Sequence, residues 1–225
     1  SENLFEGLSP WMQKLPGGLI HVNVVGCALF AAISGSSAAT VATVGKMSIP
    51  ELRKRNYPEK ILLGSLAGSG TLGLLIPPSI ILIIYGVTVQ ESIAKLFMAG
   101  ILPGIMIAII FMFYVIIWSL INKKIMPQSF ESFTLIEKLN RSKKLLPVIT
   151  LILAVIGSIY TGIATATEAA SLGVVGSLIL SYFQKSLTFE NFKKSLLGAT
   201  KTSCMIAFIL AGSSFLSLAM GFTGL

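Results

Sequence analysis

The sequence predicts an all-α, polytopic membrane protein, and three observations support this fold class. Its 225 residues are 54% hydrophobic and 12% charged, a composition typical of multi-spanning membrane proteins. The apolar residues are grouped into runs that are long enough to form membrane helices. The basic residues lie in short stretches between those runs, as the positive-inside rule expects.

The net charge of +8 does not indicate a nucleic-acid partner, because the basic side chains flank apolar runs. Cys27 and Cys204 both lie in apolar segments, which indicates neither a disulfide framework nor a transition-metal site. The chain begins with Ser1 and shows no signal-peptide n-region, so we expect it to be part of a longer protein.

Five regions follow one another along the chain, at 1–16, 17–45, 46–103, 104–144 and 145–225. The first is an interfacial segment, in which Phe5 and Trp11 suit the boundary between lipid and water. The last contains further apolar runs at 145–163, 169–184 and 196–220.

The polar stretches orient the middle of the chain. The basic loop 46–60 and the polar stretch 122–144 are expected in the cytoplasm. The apolar runs 61–86 and 104–121 then cross the membrane outward and back, and the short link between them lies outside. The run 17–45 is followed by the cytoplasmic loop and preceded by Lys14, so it begins and ends on the cytoplasmic side. A segment of this kind predicts a re-entrant helical hairpin with a polar tip.

The hairpin has a polar tip, Ser34-Gly35-Ser36-Ser37, and the next apolar run has a break of its own. That break lies in GSGTLGLLIPPSIILIIYG, at 68–86. Its glycines allow unwinding, and Pro77 and Pro78 lack backbone donors, so the run predicts a discontinuous helix. Discontinuous helices near the membrane centre indicate a transporter binding site. The alternative is that these residues only permit close packing and a kink.

The two breaks carry neutral oxygen atoms. Freed carbonyls and the hydroxyls of Ser36, Ser37, Ser69, Thr71 and Ser79 are typical ligands of a monovalent cation such as Na⁺, whereas a divalent ion prefers carboxylates. We interpret His21, at a helix entry, as a packed or hydrogen-bonding residue rather than a proton shuttle. We interpret Glu168 as a helix cap.

Three stretches resemble the large membrane subunit of tripartite ATP-independent periplasmic (TRAP) transporters, the DctM-like family. They are GGLIHVNVVGCALFAAISGSSAATVATVG at 17–45, GSGTLGLLIPPSIILIIYGVTVQESIAKLFMAGILPG at 68–104 and YTGIATATEAAS at 160–171. The order and spacing of all three fit the family, so the resemblance covers nearly the whole chain from Gly17.

The resemblance implies an elevator-type transporter with inverted repeats, of which 145–225 begins the second. It also implies uptake of an organic acid, of the C4-dicarboxylate, keto acid or sialic acid class, driven by Na⁺ as the coupling ion without ATP or another cofactor. The expected partners are a small membrane subunit, a periplasmic substrate-binding protein and the lipid bilayer. The expected location is the cytoplasmic (inner) membrane of a bacterium or archaeon.

The resemblance also implies the residues that bind sodium and face the substrate. They are Ser34, Gly35, Ser36 and Ser37 at the hairpin tip, and Gly70, Gly73, Ile76, Pro77, Pro78 and Ser79 on the broken helix. Many members carry an Asp shortly after the tip serines, but residues 38–41 contain none. The usual Thr-Pro-Thr-Glu reads Thr-Ala-Thr-Glu at 165–168. We expect the second half of the site beyond Leu225, so the chain alone should not transport.

Two other functions remain open. An intramembrane hydrolase would need His21 to act as the base for a tip serine such as Ser34, but the sequence contains neither a G-x-S-x-G nor an H-E-x-x-H pattern. A structural membrane subunit without its own ligand is the second alternative. A channel is disfavoured because no filter sequence or charged ring is present. We therefore expect a protein that is not an enzyme.

Overall fold

A computed structural model describes residues 2–127 and 133–223, and every regular element in that part of the chain is a helix. Residues 128–132, in the predicted cytoplasmic stretch 122–144, lie outside the described residues, as do Ser1 and residues 224–225. The α-helices of the described residues are α1 (Glu2–Met12), α2 (His21–Ser34), α3 (Ser37–Lys54), α4 (Glu59–Gly70), α5 (Ile80–Val89), α6 (Ile93–Ile121), α7 (Leu135–Ser142), α8 (Leu146–Tyr160), α9 (Ala166–Phe183) and α10 (Phe189–Thr223). Short 3₁₀ helices occur at Gly18–Ile20, Thr71–Leu74, Lys123–Ile125 and Lys143–Leu145.

Several of these helices are long and apolar enough to cross a membrane. Within residues 2–127 and 133–223 there are 4 such segments, namely Ile93–Ile121, Leu135–Tyr160, Ala166–Phe183 and Phe189–Thr223. The second segment contains α7, α8 and the 3₁₀ helix between them. The predicted all-α, polytopic fold class is confirmed. Re-entry of the hairpin into the membrane and the inverted repeats stay predictions.

The chain forms two compact units, Ser1–Gly173 and Val174–Leu225. The first unit contains both predicted breaks, and the second contains α10. Helix α10 begins at Phe189, before the predicted apolar run at 196–220. The five regions predicted from the sequence are a finer division than these units and stay a prediction.

The core of the first unit lies between α1, the hairpin helices and α4. Ile20, Val22 and Leu62 are fully buried there. Helix α1 contributes Phe5, which is only 6% exposed. Phe5 is on the apolar face that α1 packs into the core, and the interfacial position of segment 1–16 stays a prediction. Trp11 is on the exposed side of the same helix, and its indole Nε1 donates to Ser142 Oγ at 2.8 Å.

The predicted hairpin is formed by α2 and α3, which run antiparallel. A methyl group added at Gly26 of α2 would contact Val44 and Met47 of α3, at 3.5 and 3.7 Å. The predicted basic loop 46–60 is wrong over most of its length, because α3 continues to Lys54. The buried side chains of Met47 and Leu52 continue the inward face of α3 and hold this basic segment in the helix.

Helix α6 also begins earlier than the sequence suggested. The predicted link was expected to end near Pro103, but Pro103 lies inside α6, which begins at Ile93. The Ser92 side chain caps this helix by accepting a hydrogen bond from the Lys95 backbone N–H at 3.5 Å. The link between α5 and α6 is therefore shorter than predicted.

Two adjacent leucines of α4 give a direct test of this packing. Leu62 is fully buried in the core, whereas Leu63 is 44% exposed on the other face of the same helix. We expect Leu62→Ala to lower the free energy of unfolding by about 2–5 kcal/mol, because it leaves a cavity. Leu63→Ala is the matched control and should cost much less. Thermal unfolding of the purified protein in detergent measures both, and equal losses would contradict the packing of α4.

Candidate functional site

The hairpin tip is built from a left-handed glycine followed by an extended serine. Gly35 ends α2 with φ +59°, and its N–H donates to the Ala31 carbonyl at 3.0 Å. Ser36 is extended and caps α3, because its Oγ accepts a hydrogen bond from the Ala39 N–H at 3.4 Å. The left-handed conformation favours glycine at position 35, since other residues rarely adopt it.

Hydroxyl groups fix the peptide of Ser36. Thr40 Oγ1 donates to the Ser36 carbonyl at 2.7 Å, and the Thr40 N–H donates to the same oxygen at 3.0 Å. The Ser34 and Thr40 hydroxyl oxygens are 2.9 Å apart. Ser34 Oγ also lies 3.3 Å from the Ser36 carbonyl oxygen, as a second hydroxyl donor to it. The tip is therefore held by its own side chains.

The discontinuous helix is interrupted between α4 and α5. After α4 the chain forms the 3₁₀ helix Thr71–Leu74, and residues 75–79 are then irregular, with a cis peptide bond between Pro77 and Pro78. Ser79 is fully buried, and its Oγ donates to the Leu74 carbonyl at 2.6 Å. This bond joins the two ends of the break.

The hairpin tip is seated directly in this break. The Ile80 N–H, at the start of α5, donates to the Gly35 carbonyl at 3.2 Å. A methyl group added at Gly73 would lie 2.8 Å from the Ser36 carbonyl, and one at Gly35 would lie 2.6 Å from the Pro78 carbonyl oxygen. We call this contact between the tip (34–37) and the break (70–80) the junction.

The predicted site residues fall into three groups. The tip residues and those of the broken helix meet at the junction, namely Ser34, Gly35, Ser36, Ser37, Gly70, Gly73, Ile76, Pro77, Pro78 and Ser79. Ser69 is buried beside the junction, whereas Thr71 is exposed and donates to the Gly68 carbonyl at 2.6 Å. Glu168 lies elsewhere, where its carboxylate accepts hydrogen bonds from the backbone N–H and the hydroxyl of Thr165, both at 2.8 Å.

The junction presents neutral oxygen atoms and four helix ends. The carbonyls of Ile76, Pro77 and Pro78 accept no hydrogen bond from the described residues, and the Ser37 hydroxyl has no partner among them. The C-terminal ends of α2 and of the 3₁₀ helix Thr71–Leu74 expose carbonyl groups and attract cations. The N-terminal ends of α3 and α5 expose N–H groups and attract anions. Among residues 2–127 and 133–223, no three His, Cys or Glu side chains form a group that could hold a metal ion. The donor set therefore suits a monovalent cation together with an anion.

Sequence reasoning missed three residues at the junction. Thr40 is one turn after the helix cap, a position from which a threonine hydroxyl can bond back to the carbonyl four residues earlier. Gly100 and Gly104 of α6 lie against the break, where added methyl groups would be 2.8 Å from the Leu75 carbonyl oxygen and 2.9 Å from the Ile76 side chain. These two glycines form a G-x-x-x-G pattern, which indicates close helix packing.

The hydrolase alternative fails on distance. His21 is at the start of α2 and Ser34 is at its end, so they are roughly 20 Å apart at 1.5 Å per residue. The His21 ring is fully buried, and its Nε2 donates to the Pro16 carbonyl at 2.8 Å. His21 therefore cannot act as a base for the tip serines.

A helical hairpin seated in the break of a discontinuous helix, in a chain with four helical segments long enough to span a membrane among the described residues, is typical of membrane transporters. Over residues 2–225 the chain matches the family described as "Tripartite ATP-independent periplasmic transporter, DctM component", and it belongs to that family. This confirms the resemblance to the DctM-like subunits.

Named relatives agree with the family. The chain is 37% identical over 214 residues to the C4-dicarboxylate TRAP transporter large permease protein DctM of Pseudomonas aeruginosa, covering 95% of this chain and 49% of that protein. It is 35% identical over 217 residues to the isethionate TRAP transporter permease protein DctMQ of Oleidesulfovibrio alaskensis, covering 94% and 33%. It is 32% identical over 216 residues to the sialic acid TRAP transporter permease protein SiaT of Haemophilus influenzae, covering 96% and 35%. These relatives are named as permeases and not as enzymes, and the chain spans at most about half of their length.

The close approach at Gly73 predicts a sharp effect of adding one methyl group. We expect Gly73→Ala to lower the free energy of unfolding by about 1–3 kcal/mol, because the methyl group would press on the Ser36 backbone. Gly64→Ala is the matched control, since a methyl group there meets nothing within 4 Å. Thermal unfolding in detergent compares the two variants. An unchanged Gly73→Ala protein would show that the tip is not seated as described.

Proposed function

We propose that this chain forms one half of a sodium and organic-acid site in the large membrane subunit of a secondary active transporter. The observation that carries the proposal is the junction, where the tip of one hairpin occupies the break of a discontinuous helix. Such breaks are useful in transporters because they expose backbone groups to a ligand within the membrane. The family of the chain supports the same function.

Sodium binds at the junction through uncharged oxygens. The carbonyls of Ile76, Pro77 and Pro78 and the hydroxyl of Ser37 are the ligands that this half of the site contributes. The carbonyl end of α2 adds a favourable field for a cation. These groups carry no net charge, so a monovalent ion is favoured over a divalent one. A divalent ion costs more to dehydrate and needs carboxylate ligands to offset that cost.

The substrate is an organic acid of the C4-dicarboxylate, keto acid or sialic acid class. The relatives named for a substrate carry C4-dicarboxylate, isethionate and sialic acid, which are all organic anions. An anionic group can bind at the amide ends of α3 and α5, where Ser36 and Ser79 precede the first helical turns. Bound sodium offsets the negative charge, so that ion and substrate stabilise one another.

The proposed complex contains a small membrane subunit and a periplasmic substrate-binding protein, and it lies in the inner membrane. The loaded hairpin and broken helix move across the bilayer together in an elevator-type cycle. No ATP is consumed, because the sodium gradient supplies the free energy.

The proposed orientation can be tested with single cysteines. In a background without Cys27 and Cys204, Glu91→Cys should react with a membrane-impermeant maleimide added to intact cells. Lys124→Cys should react only after the membrane is permeabilised, because its basic stretch is predicted to be cytoplasmic. Labelling in the opposite order would reverse the proposed topology.

The sodium site predicts a specific transport defect. Uptake of radiolabelled organic acids is measured in proteoliposomes that contain the full-length subunit, its small partner and the binding protein, with and without a sodium gradient. We expect Ser37→Ala to raise the sodium concentration for half-maximal uptake by about 10-fold, because it removes one ligand worth roughly 1–2 kcal/mol.

Ser171→Ala is the control for this defect, since Ser171 Oγ donates within its own helix to the Thr167 carbonyl at 3.3 Å. It should leave the sodium dependence unchanged. Uptake that follows a proton gradient and ignores sodium would refute the proposed ion, and an unchanged Ser37→Ala variant would refute the proposed ligand.

A further inference from the structure

A cavity that combines apolar and cationic side chains lies in the first unit, away from the junction. Its volume is about 360 Å³, and its lining includes Lys14, Gly17, Tyr57, Ser119 and Lys123. These residues come from the turn before α2, the connection between α3 and α4 and the end of α6. None of the described residues that line the cavity is acidic. The two lysines therefore give it a positive charge, which favours an anion.

Two buried side chains in this cavity have hydrogen-bonding capacity to spare. Ser119 is only 5% exposed, and its hydroxyl has no partner among residues 2–127 and 133–223. A serine inside a helix often bonds back to a carbonyl one turn earlier, whereas Ser119 lines the cavity and its hydroxyl is available to a ligand there. Tyr57 is 8% exposed, and its oxygen accepts a hydrogen bond from the Leu19 N–H at 3.1 Å.

The Tyr57 hydroxyl keeps its own proton available as a donor. Its oxygen is the acceptor in the bond with Leu19, so the phenolic proton needs another acceptor. Burial raises the pKa of Tyr57, which keeps the phenol protonated at neutral pH. The cavity thus combines two ammonium groups with two hydroxyl donors, the set that recognises a phosphate group.

The position of the cavity along α6 indicates which kind of molecule carries the phosphate group. Helix α6 is apolar up to Ile121, and the basic residues Lys123 and Lys124 follow at once. This change marks the level at which the helix leaves the hydrocarbon for the cytoplasm. Ile121 and Ile125 lie in the same stretch of chain as the lining residues Leu120, Lys123 and Met126, and they are 77% and 55% exposed.

We propose that this cavity binds the headgroup phosphate of an anionic phospholipid in the cytoplasmic leaflet. Lys14 and Lys123 pair with the phosphate oxygens, and Ser119 and Tyr57 donate hydrogen bonds to them. The acyl chains lie along the exposed isoleucines at the end of α6. Basic pockets between membrane helices on the cytoplasmic side are suited to such headgroups. The site is separate from the junction, and its place in the cytoplasmic leaflet rests on the proposed orientation.

The experiment uses the full-length protein, delipidated in a neutral detergent. Phosphatidylglycerol, phosphatidylcholine or inorganic phosphate is titrated, and binding is followed by native mass spectrometry and by the unfolding temperature. Phosphatidylglycerol should bind and raise the unfolding temperature, whereas the other two should not. Lys14→Gln with Lys123→Gln should weaken phosphatidylglycerol binding by about 10- to 30-fold, given roughly tenfold or less per lysine.

Lys124→Gln is the matched control, because it removes the same charge one residue away from the cavity lining. It should change binding less than about twofold, on the premise that an exposed charge contributes little. Ser119→Ala keeps both lysines and should weaken binding several-fold without loss of folding. A loss of binding for Lys124→Gln as large as that for the double variant would show only general surface attraction and overturn the site. Binding of inorganic phosphate as tight as that of phosphatidylglycerol would also overturn it, in favour of a soluble anion.

Discussion

The hairpin tip can enter the break of the discontinuous helix only because glycine stands at each point of closest approach. Gly35 lies against the Pro78 carbonyl, and Gly73 lies against the Ser36 backbone. Any side chain there would force the two segments apart and break the bond between the Gly35 carbonyl and the Ile80 N–H. This contact therefore sets how the oxygens of the tip lie relative to those of the break.

Helix α6 supports the same contact from the other side. Gly100 and Gly104 allow α6 to approach Leu75 and Ile76, so the irregular backbone is covered by protein. This cover matters because unpaired carbonyls are tolerated within a membrane only where protein or water surrounds them. The early start of α6 at Ile93 is therefore part of the site's construction, since it places both glycines inside one continuous helix.

The sequence predicted the breaks better than the helix boundaries. Gly70, Gly73 and Pro77 mark an interruption by their backbone chemistry alone, so the position of the break could be read directly. Pro103 has the same chemistry but lies within α6, because a membrane helix tolerates a proline where neighbouring helices pack against it. The local signal was the same in both places, and only the tertiary packing distinguishes them.

Contacts between segments were the other limit. The residue types at the tip indicated oxygen ligands. The hydrogen bond from Thr40 to the Ser36 carbonyl could not be predicted in this way, because it depends on the exact place of Thr40 in the first turn of α3. The cationic cavity combines residues as far apart in sequence as Lys14 and Lys123. Neither their proximity nor the free hydroxyl of Ser119 can be deduced from charge pattern, since both depend on how α6 meets the start of α2.

The chemistry of the junction has a consequence for the conditions under which it works. Its oxygens belong to peptide groups and aliphatic hydroxyls, and neither type gains or loses a proton in the physiological range. Ion affinity at this half of the site should therefore be the same in acidic and in alkaline surroundings. In the proposed transporter, this half of the site would keep the same response to sodium when the pH of the surroundings changes.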